Sequence, residues 1–344
     1  MKLKEFKKSF ISIVVLLSMV LFFAGCNGET ETSGADTDEV YQLSFAHVVR
    51  PTTPKGAAAE MFKEVIEERS EGRITVRVYP DSQMGNDQEI NEQILRGTLD
   101  MNAPLLSTIT SFAEEFELFD LPYLFTTHEG AYDALHGDVG EALNEYLEDN
   151  GFVGLGYWSG GFKQITNSVR PIETVEDMDG LRIRVSQSPL LVTQFRAVGA
   201  GGISVPFSEL YSALQSGTVD GQDNPFSNIA SRNFYEVQDY MTITDHGFMG
   251  YPFIMNKDTF NTLPSDLQDL VIEVAAEVTQ WQWEEAQRAD EKYLEEIIDS
   301  GMTISEFNEA EKANFRQATQ AAYDSFLQKE NGEELLNLVE QYTN

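Results

Sequence analysis

The first 26 residues decide what the rest of the chain can become. Lys2, Lys4, Lys7 and Lys8 form a basic start, and Ser9 to Gly25 then carries no charged side chain. That apolar run falls short of the ~20 residues of a spanning helix. Small residues, Ala24 and Gly25, stand just before Cys26, the only cysteine. A basic start, an apolar middle and a small-residue cleavage site describe a secretory signal peptide over residues 1–25. No other segment is apolar enough to matter to a membrane, so the rest reads as a domain folded outside the cytoplasm. One cysteine excludes a disulfide scaffold. A length of 344 residues exceeds the roughly 250–300 at which one core stops growing, so two lobes are expected.

Phe23-Ala24-Gly25-Cys26 resembles a bacterial lipoprotein signal, although leucine is commoner where Phe23 stands. In that family the cysteine is lipidated and becomes the new N-terminus. Two or three acyl chains would hold the protein on the outer face of a membrane, or on the periplasmic side. Residues 26–39 then read as a flexible tether, because Asn27–Asp38 is polar, acidic and without aromatics. Removal of the leader takes away four lysines and one glutamate, which makes an already acidic chain (57 Asp and Glu against 23 Lys and Arg, net −34) more acidic still. Such a surface stays solvated and excludes a nucleic-acid partner, which demands clustered cations. An anion-binding site on it needs an inward-facing Arg or Lys.

The folded part opens with alternation at Tyr41–His47, a strand. Thr53 and Pro54 stand where an N-cap and a first helical residue belong; Ala58, Met61, Phe62, Val65 and Ile66 recur at helical spacing until Gly72. A strand at Ile74–Tyr79, a helix at Asp87–Arg96 stopped by Gly97, and a segment at Leu99–Met101 complete βαβαβ, which implies a parallel sheet. Leu118–Phe125 is an apolar crossing segment, residues 128–150 a helix and Phe152–Trp158 a strand. After Gly160-Gly161 a second lobe begins, with strands at 181–185, 240–244 and 251–256 and helices near 190–198, 208–216 and from Pro225. From Leu263-Pro264 onward the pattern predicts helices at 266–300, 309–329 and 333–342 and almost no strand. Gly97-Thr-Leu-Asp100 and Gly217-Thr-Val-Asp220 each follow an amphipathic helix, as two lobes of similar topology would produce.

The chemistry of a hydrolase or a nucleotide enzyme is missing. His47, His128, His136 and His246 show no zinc spacing, and there is no nucleophile elbow and no phosphate-binding glycine loop. No metal or other cofactor is expected. Carboxylates alone could serve a secreted hydrolase, but nothing singles out a pair. Leu181-Arg-Ile-Arg-Val185 is more informative: alternation puts Arg182 and Arg184 on one face. They are either solvated or presented to a carboxylate, which a planar guanidinium grips bidentately.

The stretch from Gly180 to Pro225 resembles the solute-binding proteins of TRAP transporters, the DctP family. The residues that carry it are Gly180-Leu-Arg-Ile-Arg-Val185, Phe207-Ser-Glu-Leu-Tyr-Ser-Ala-Leu-Gln215 and Val219-Asp-Gly-Gln-Asp-Asn-Pro225. Phe234-Tyr-Glu-Val-Gln238, Thr244-Asp-His-Gly247, Pro54-Lys-Gly56 and Leu121-Pro-Tyr-Leu-Phe125 extend it over residues 40–330. The resemblance implies an α/β, two-lobe, periplasmic-binding-protein-like (type II) fold with a long connecting helix and a helical C-terminus. The expected lobes are 40–160 with 250–288, and 161–249 with 289–344. It implies no catalysis, a small organic acid as ligand, and the small and large TRAP permease subunits as membrane partners. By family motif, Arg184 binds the ligand carboxylate and Asn224 supports it, Phe207 packs beside the ligand, and Lys163 of Gly161-Phe-Lys-Gln164 adds a second cation. His47 is a further candidate at the end of the first strand. Asn224-Pro225 also reads as a helix cap and first residue. Gly161–Gln164 and Val185-Ser-Gln-Ser188 are similar to the C4-dicarboxylate binders, with uronates and other sugar acids next; Leu105 stands where those binders tend to have Ser. An ABC-type or chemosensory binding lipoprotein would use the same two-lobe logic.

Overall fold

The computed structural model describes residues 39–343; the leader, Cys26 and all of the tether but its last residue lie outside the described residues. The first sheet has the order β2-β1-β3-β10-β4, from β1 (Tyr41–Ala46), β2 (Ile74–Tyr79), β3 (Met101–Asn102), β4 (Phe152–Phe162) and β10 (Phe248–Asn256). The second has the order β11-β9-β5-β8-β6-β7, from β5 (Gln164–Asn167), β6 (Arg182–Val185), β7 (Gly201–Ser204), β8 (Gly221–Asn224), β9 (Tyr240–Ile243) and β11 (Thr303–Glu306). The helices in chain order are α1 (Pro54–Arg69), α2 (Asp87–Leu95), α3 (Leu106–Ile109), α4 (His128–His136), α5 (Asp138–Asp149), α6 (Pro189–Ala197), α7 (Leu210–Gln215), α8 (Phe226–Ser231), α9 (Lys257–Thr262), α10 (Ser265–Asp299), α11 (Glu309–Ala318), α12 (Gln320–Phe326) and α13 (Gly332–Val339).

Each sheet contains the same unit. β1 pairs in parallel with β2 and β3, and β6 pairs in parallel with β7 and β8. The Gly-Thr-x-Asp repeat is the staple of that unit. Gly97 and Gly217 both take positive φ, 68° and 66°, and end α2 and α7. The next residue then bonds back into the helix, Thr98 N to Gln93 O at 3.0 Å and Thr218 N to Ala213 O at 2.9 Å. The aspartate reaches the first strand of its own unit: Asp100 accepts from Ser44 N and Asp220 from Arg182 N, each at 2.8 Å. The helix entries match as well. Thr53-Pro54 and Ser188-Pro189 each supply a side-chain cap and a first-turn proline. Asn86 and Glu89 close a capping box on α2. Parallel strands with helices returning over them put helix N-termini at the carboxyl edge of each sheet, where α/β proteins bind ligands.

Aromatic packing fixes the first sheet. Phe45 stacks on Phe253 at 5.2 Å, and Phe62 and Trp158 lie 5.1 and 4.7 Å from Phe253. Two strand crossings join the lobes. One runs from β4 to β5 with Lys163 alone between the strands, the other from β9 to β10 through Thr244–Gly247, and they bond to each other from Lys163 N to Gly247 O at 2.8 Å. The 35-residue α10 braces both, about 50 Å long at 1.5 Å per residue. Leu267, Val271, Val274 and Val278 pack with the first sheet, Gln282 bonds both ways with the Ser159 backbone, and Ile297 joins the core of the second sheet.

Several elements depart from expectation. Residues 128–150 form two helices, broken at Gly137, where a Cβ would come 2.7 Å from Asp133 O and from the Tyr342 hydroxyl. Strands β5, β7, β8 and β11 carried no apolar signal. In the last helices, Ala322, Phe326, Leu335 and Val339 pack with Leu118, Phe119 and Leu143 beside the first sheet. Tyr323 donates to Pro122 O at 2.8 Å, and Lys329 pairs with Glu114 at 2.8 Å. The crossing segment is covered by these helices together with α3, α5 and α6, and α12 also packs on α6 of the second lobe, so residues 319–343 touch both lobes.

Candidate functional site

A cavity opens between the two carboxyl edges, with about 480 Å³ between its walls, mouth included. From the first lobe come Val48 and Val49 after β1, Lys55 on the first turn of α1, Asp87 on the first turn of α2, and Tyr251 on β10. From the second come Arg184 on β6, Ser186 and Gln187 before α6, Phe207, and Asn224 and Asn228 around α8.

Arg184 is 3% exposed. Its Nε donates to Val205 O at 2.8 Å, and among the described residues its two terminal nitrogens make no hydrogen bond. Burial lowers it to about 10, while the charges of Asp223 and Asp87 act the other way; it stays charged at neutral pH. Arg182, two residues earlier, is a surface group paired with Asp220 at 2.5 Å. The two arginines of the strand therefore divide, one solvated and one turned into the cleft.

Lys55 supplies the second cation. Its Nζ donates to Ala103 O at 2.9 Å and lies 4.1 Å over the Tyr251 ring. Burial lowers it to about 8, and the Asp87 charge pulls it back up. Asp87 is 7% exposed, and its Oδ1 has no hydrogen-bond partner.

Asn224 ends a buried relay. Asn228 Nδ2 donates to Asn224 Oδ1 at 2.8 Å, Asn224 Nδ2 donates to Gln222 Oε1, and Gln222 Nε2 donates to Thr166 Oγ1 at 2.8 Å. The relay fixes which way the amide faces and uses one of its two Nδ2 donors. Asn224 makes no cap bond, since α8 starts one residue later with Pro225 at its cap and no side-chain cap bond. Phe207 is half-buried, edge-on to Phe234 at 6.3 Å and capped by the Arg232 guanidinium at 5.1 Å.

Two expected residues are not in the cavity wall. Lys163 is sealed in the crossing between β4 and β5 and pairs with Asp223 at 3.1 Å, both side chains at most 3% exposed. Burial alone would raise the Asp223 carboxyl, but Lys163, His246 and Arg184 together hold it well below the usual carboxylate range. His47 is fully buried behind Val48 and Val49, with its ring edge on Phe45 at 6.3 Å. Burial, then the Lys55 charge, lowers it to about 3, so it is a neutral core histidine. Lys55 and Asp87 were the residues missed. Their signal was position: each is in the first turn of a helix that follows a parallel strand, which faces the carboxyl edge.

The lobes touch around the cavity. Arg232 at the end of α8 pairs with Asp81 at 2.7 Å and donates to Val48 O at 2.6 Å, and Gln187 donates to Gln88 at 3.1 Å. Among the described residues no three His, Cys, Asp or Glu side chains are grouped to hold a metal, and no helix is long and apolar enough to cross a membrane.

Residues 45–330 match the family described as bacterial extracellular solute-binding protein, family 7 (DctP). The chain is 36% identical over 289 residues to the C4-dicarboxylate-binding periplasmic protein DctP of Rhodobacter capsulatus, covering 83% of this chain and 86% of that one. A TRAP periplasmic solute-binding protein from Sulfurospirillum deleyianum with bound succinate superposes with a TM-score of 0.84 at 36% identity, over 89% of this chain and 100% of that one. The sugar-acid-binding protein DctPAm from Advenella mimigardefordensis, in complex with galactonate, gives 0.85 at 30% identity, over 88% and 99%. The likeness in sequence and fold settles the matter: the chain belongs to the DctP family, the extracytoplasmic solute-binding proteins of TRAP transporters, which bind small organic acids and work with membrane permease subunits.

Proposed function

We propose that this protein captures a small organic acid between its lobes, a C4-dicarboxylate by preference and a sugar acid next, and delivers it to its permease without chemical change. The observation that carries this reading is Arg184, enclosed in the cavity wall with both terminal nitrogens unengaged by protein. They grip one carboxylate, supported by the Asn224 amide, with Phe207 packed alongside. Lys55, rather than Lys163, serves the far end of the ligand. The C4-dicarboxylate and sugar-acid relatives support this choice of ligand.

Only contacts made in the closed state favour closure, and the grip of Arg184 is one. The moving bodies follow the expected boundaries, 40–160 with 250–288 against 161–249 with 289 onward. Lipidation of Cys26 would keep the protein within reach of the permease.

A thermal-shift screen of dicarboxylates, uronates and aldonates, with neutral sugars and amino acids as controls, tests the reading. A ligand at 100 times its Kd stabilises by about 2.7 kcal/mol. Arg184→Ala should weaken binding by about 2–5 kcal/mol, roughly 30-fold to several thousand-fold. An Arg184→Ala protein with unchanged affinity, or a shift confined to neutral solutes, would overturn it.

A further inference from the structure

The charges in the cavity wall do not balance a dicarboxylate. Arg184 and Lys55 contribute two positive charges and Asp87 one negative. The charged or titratable groups that act on Asp87 are Lys55 from α1, Arg184 from β6 and Tyr251 from β10; Arg232 acts on Lys55 instead, and Lys55 on the neutral His47. With Asp87 ionised, the wall is matched to one carboxylate. A second ligand carboxylate drawn to Lys55 would lie beside Asp87, and two neighbouring carboxylates enclosed away from water do not both stay ionised. A proton between them turns that repulsion into a short charge-assisted hydrogen bond, and Asp87 Oδ1, buried and without a protein partner, is the free acceptor.

We propose that this cleft binds a dicarboxylate together with one proton from solvent, held between Asp87 Oδ1 and the second carboxylate of the ligand, whereas a hydroxylated monocarboxylate binds without a proton, its hydroxyl donating to the same oxygen. This rests on the organic-acid reading above. Burial raises Asp87 from its ordinary value against the pull of Lys55 and Arg184 and the hydrogen bonds of Leu105 N–H and Asn102, the direction a shared proton requires. Asp87 thereby sets the charge of the acid the cleft accepts.

Calorimetric titration of the purified protein with succinate and with D-galactonate, in buffers of different protonation enthalpy between about pH 6 and 7, where Lys55 is already charged, counts the protons. Succinate should take up about one proton per ligand, and its Kd should rise about tenfold per pH unit at the alkaline end. Galactonate should take up none. In Asp87→Asn, succinate should bind with no proton uptake and no pH slope. Succinate that binds only Asp87→Asn and not the natural protein would overturn the proton-linked binding. Succinate binding with no uptake in the natural protein, equal uptake in Asp87→Asn, or no succinate binding to either protein would overturn it. Acid binding that Arg184→Ala abolishes, with proton counts that Asp87→Asn leaves unchanged, would retain the organic-acid reading and reject the proton.

Discussion

Replacing Lys163 with methionine separates a structural lysine from a ligand-binding one. The ammonium pairs with Asp223 at 3.1 Å, and both side chains are at most 3% exposed. Removing one partner strands the other charge in the interior, which costs about 3–5 kcal/mol. That is a large part of the ~5–15 kcal/mol that holds a domain folded. In a urea titration without ligand, with m about 3 kcal/mol/M, the midpoint of Lys163→Met should fall by roughly 1–1.7 M. Adding Asp223→Asn should return at least half of the loss, because the two substitutions share one interaction. Asp223 stays ionised well below the usual carboxylate range. Its contribution to the natural protein is therefore constant above about pH 5 and is lost only as strong acid protonates it. Ligand affinity, measured where the variant is folded, should change by less than about threefold. A variant with an unchanged urea midpoint that has lost more than tenfold in affinity would refute this account and return Lys163 to the ligand.

Arg232→Met removes the pair with Asp81, the bond to Val48 O and the cap on Phe207, so it should weaken ligand binding about tenfold, mainly through faster release in stopped-flow measurements. Gly97→Ala and Gly217→Ala each meet open space but require positive φ; each should cost about 1 kcal/mol in denaturant titration, and nearly the same amount. Asp290, beside Gly161 at the crossing, is raised to about 7 by burial and then by the Asp245 charge. A raised acid favours the folded state below its unfolded value, and that stability is lost as pH rises through the folded one. The melting temperature should fall between about pH 4 and 7, and Asp290→Asn should flatten that fall.

The first βαβαβ unit was legible because its apolar residues alternate in β1 and β2 and recur at helical spacing in α1. The second was partly hidden. Strands β5 and β8 carry Gln164, Thr166, Asn167, Gln222, Asp223 and Asn224, all buried. Polar side chains that satisfy one another inside a sheet leave no hydrophobic pattern to read. The four-residue glycine repeat was the one sign that the hidden unit copies the visible one. Arg184, Asn224 and Phe207, which line the cavity, stand in short motifs that can be read from the sequence. The partner of Lys163 was not legible, because a motif marks a residue type and not its partner: only the register of β5 against β8, which pairs Ile165 with Asp223, brings Lys163 to that charge. Lys55 and Asp87 required knowing that both lobes turn their helix starts toward one cavity.

The enclosed cations bear on the speed of capture as well as its strength. Arg184 and Lys55 lie inside a chain whose net charge is −34. An approaching anion is repelled by the outside before it is drawn to the inside, and the exposed part of that field reaches about 8–10 Å at ordinary ionic strength. Added salt screens the outer repulsion and leaves the walled inner attraction nearly intact. Association should therefore quicken as the medium grows more saline, the opposite of the usual loss of electrostatic steering, and the same fold becomes a faster collector in brine than in fresh water.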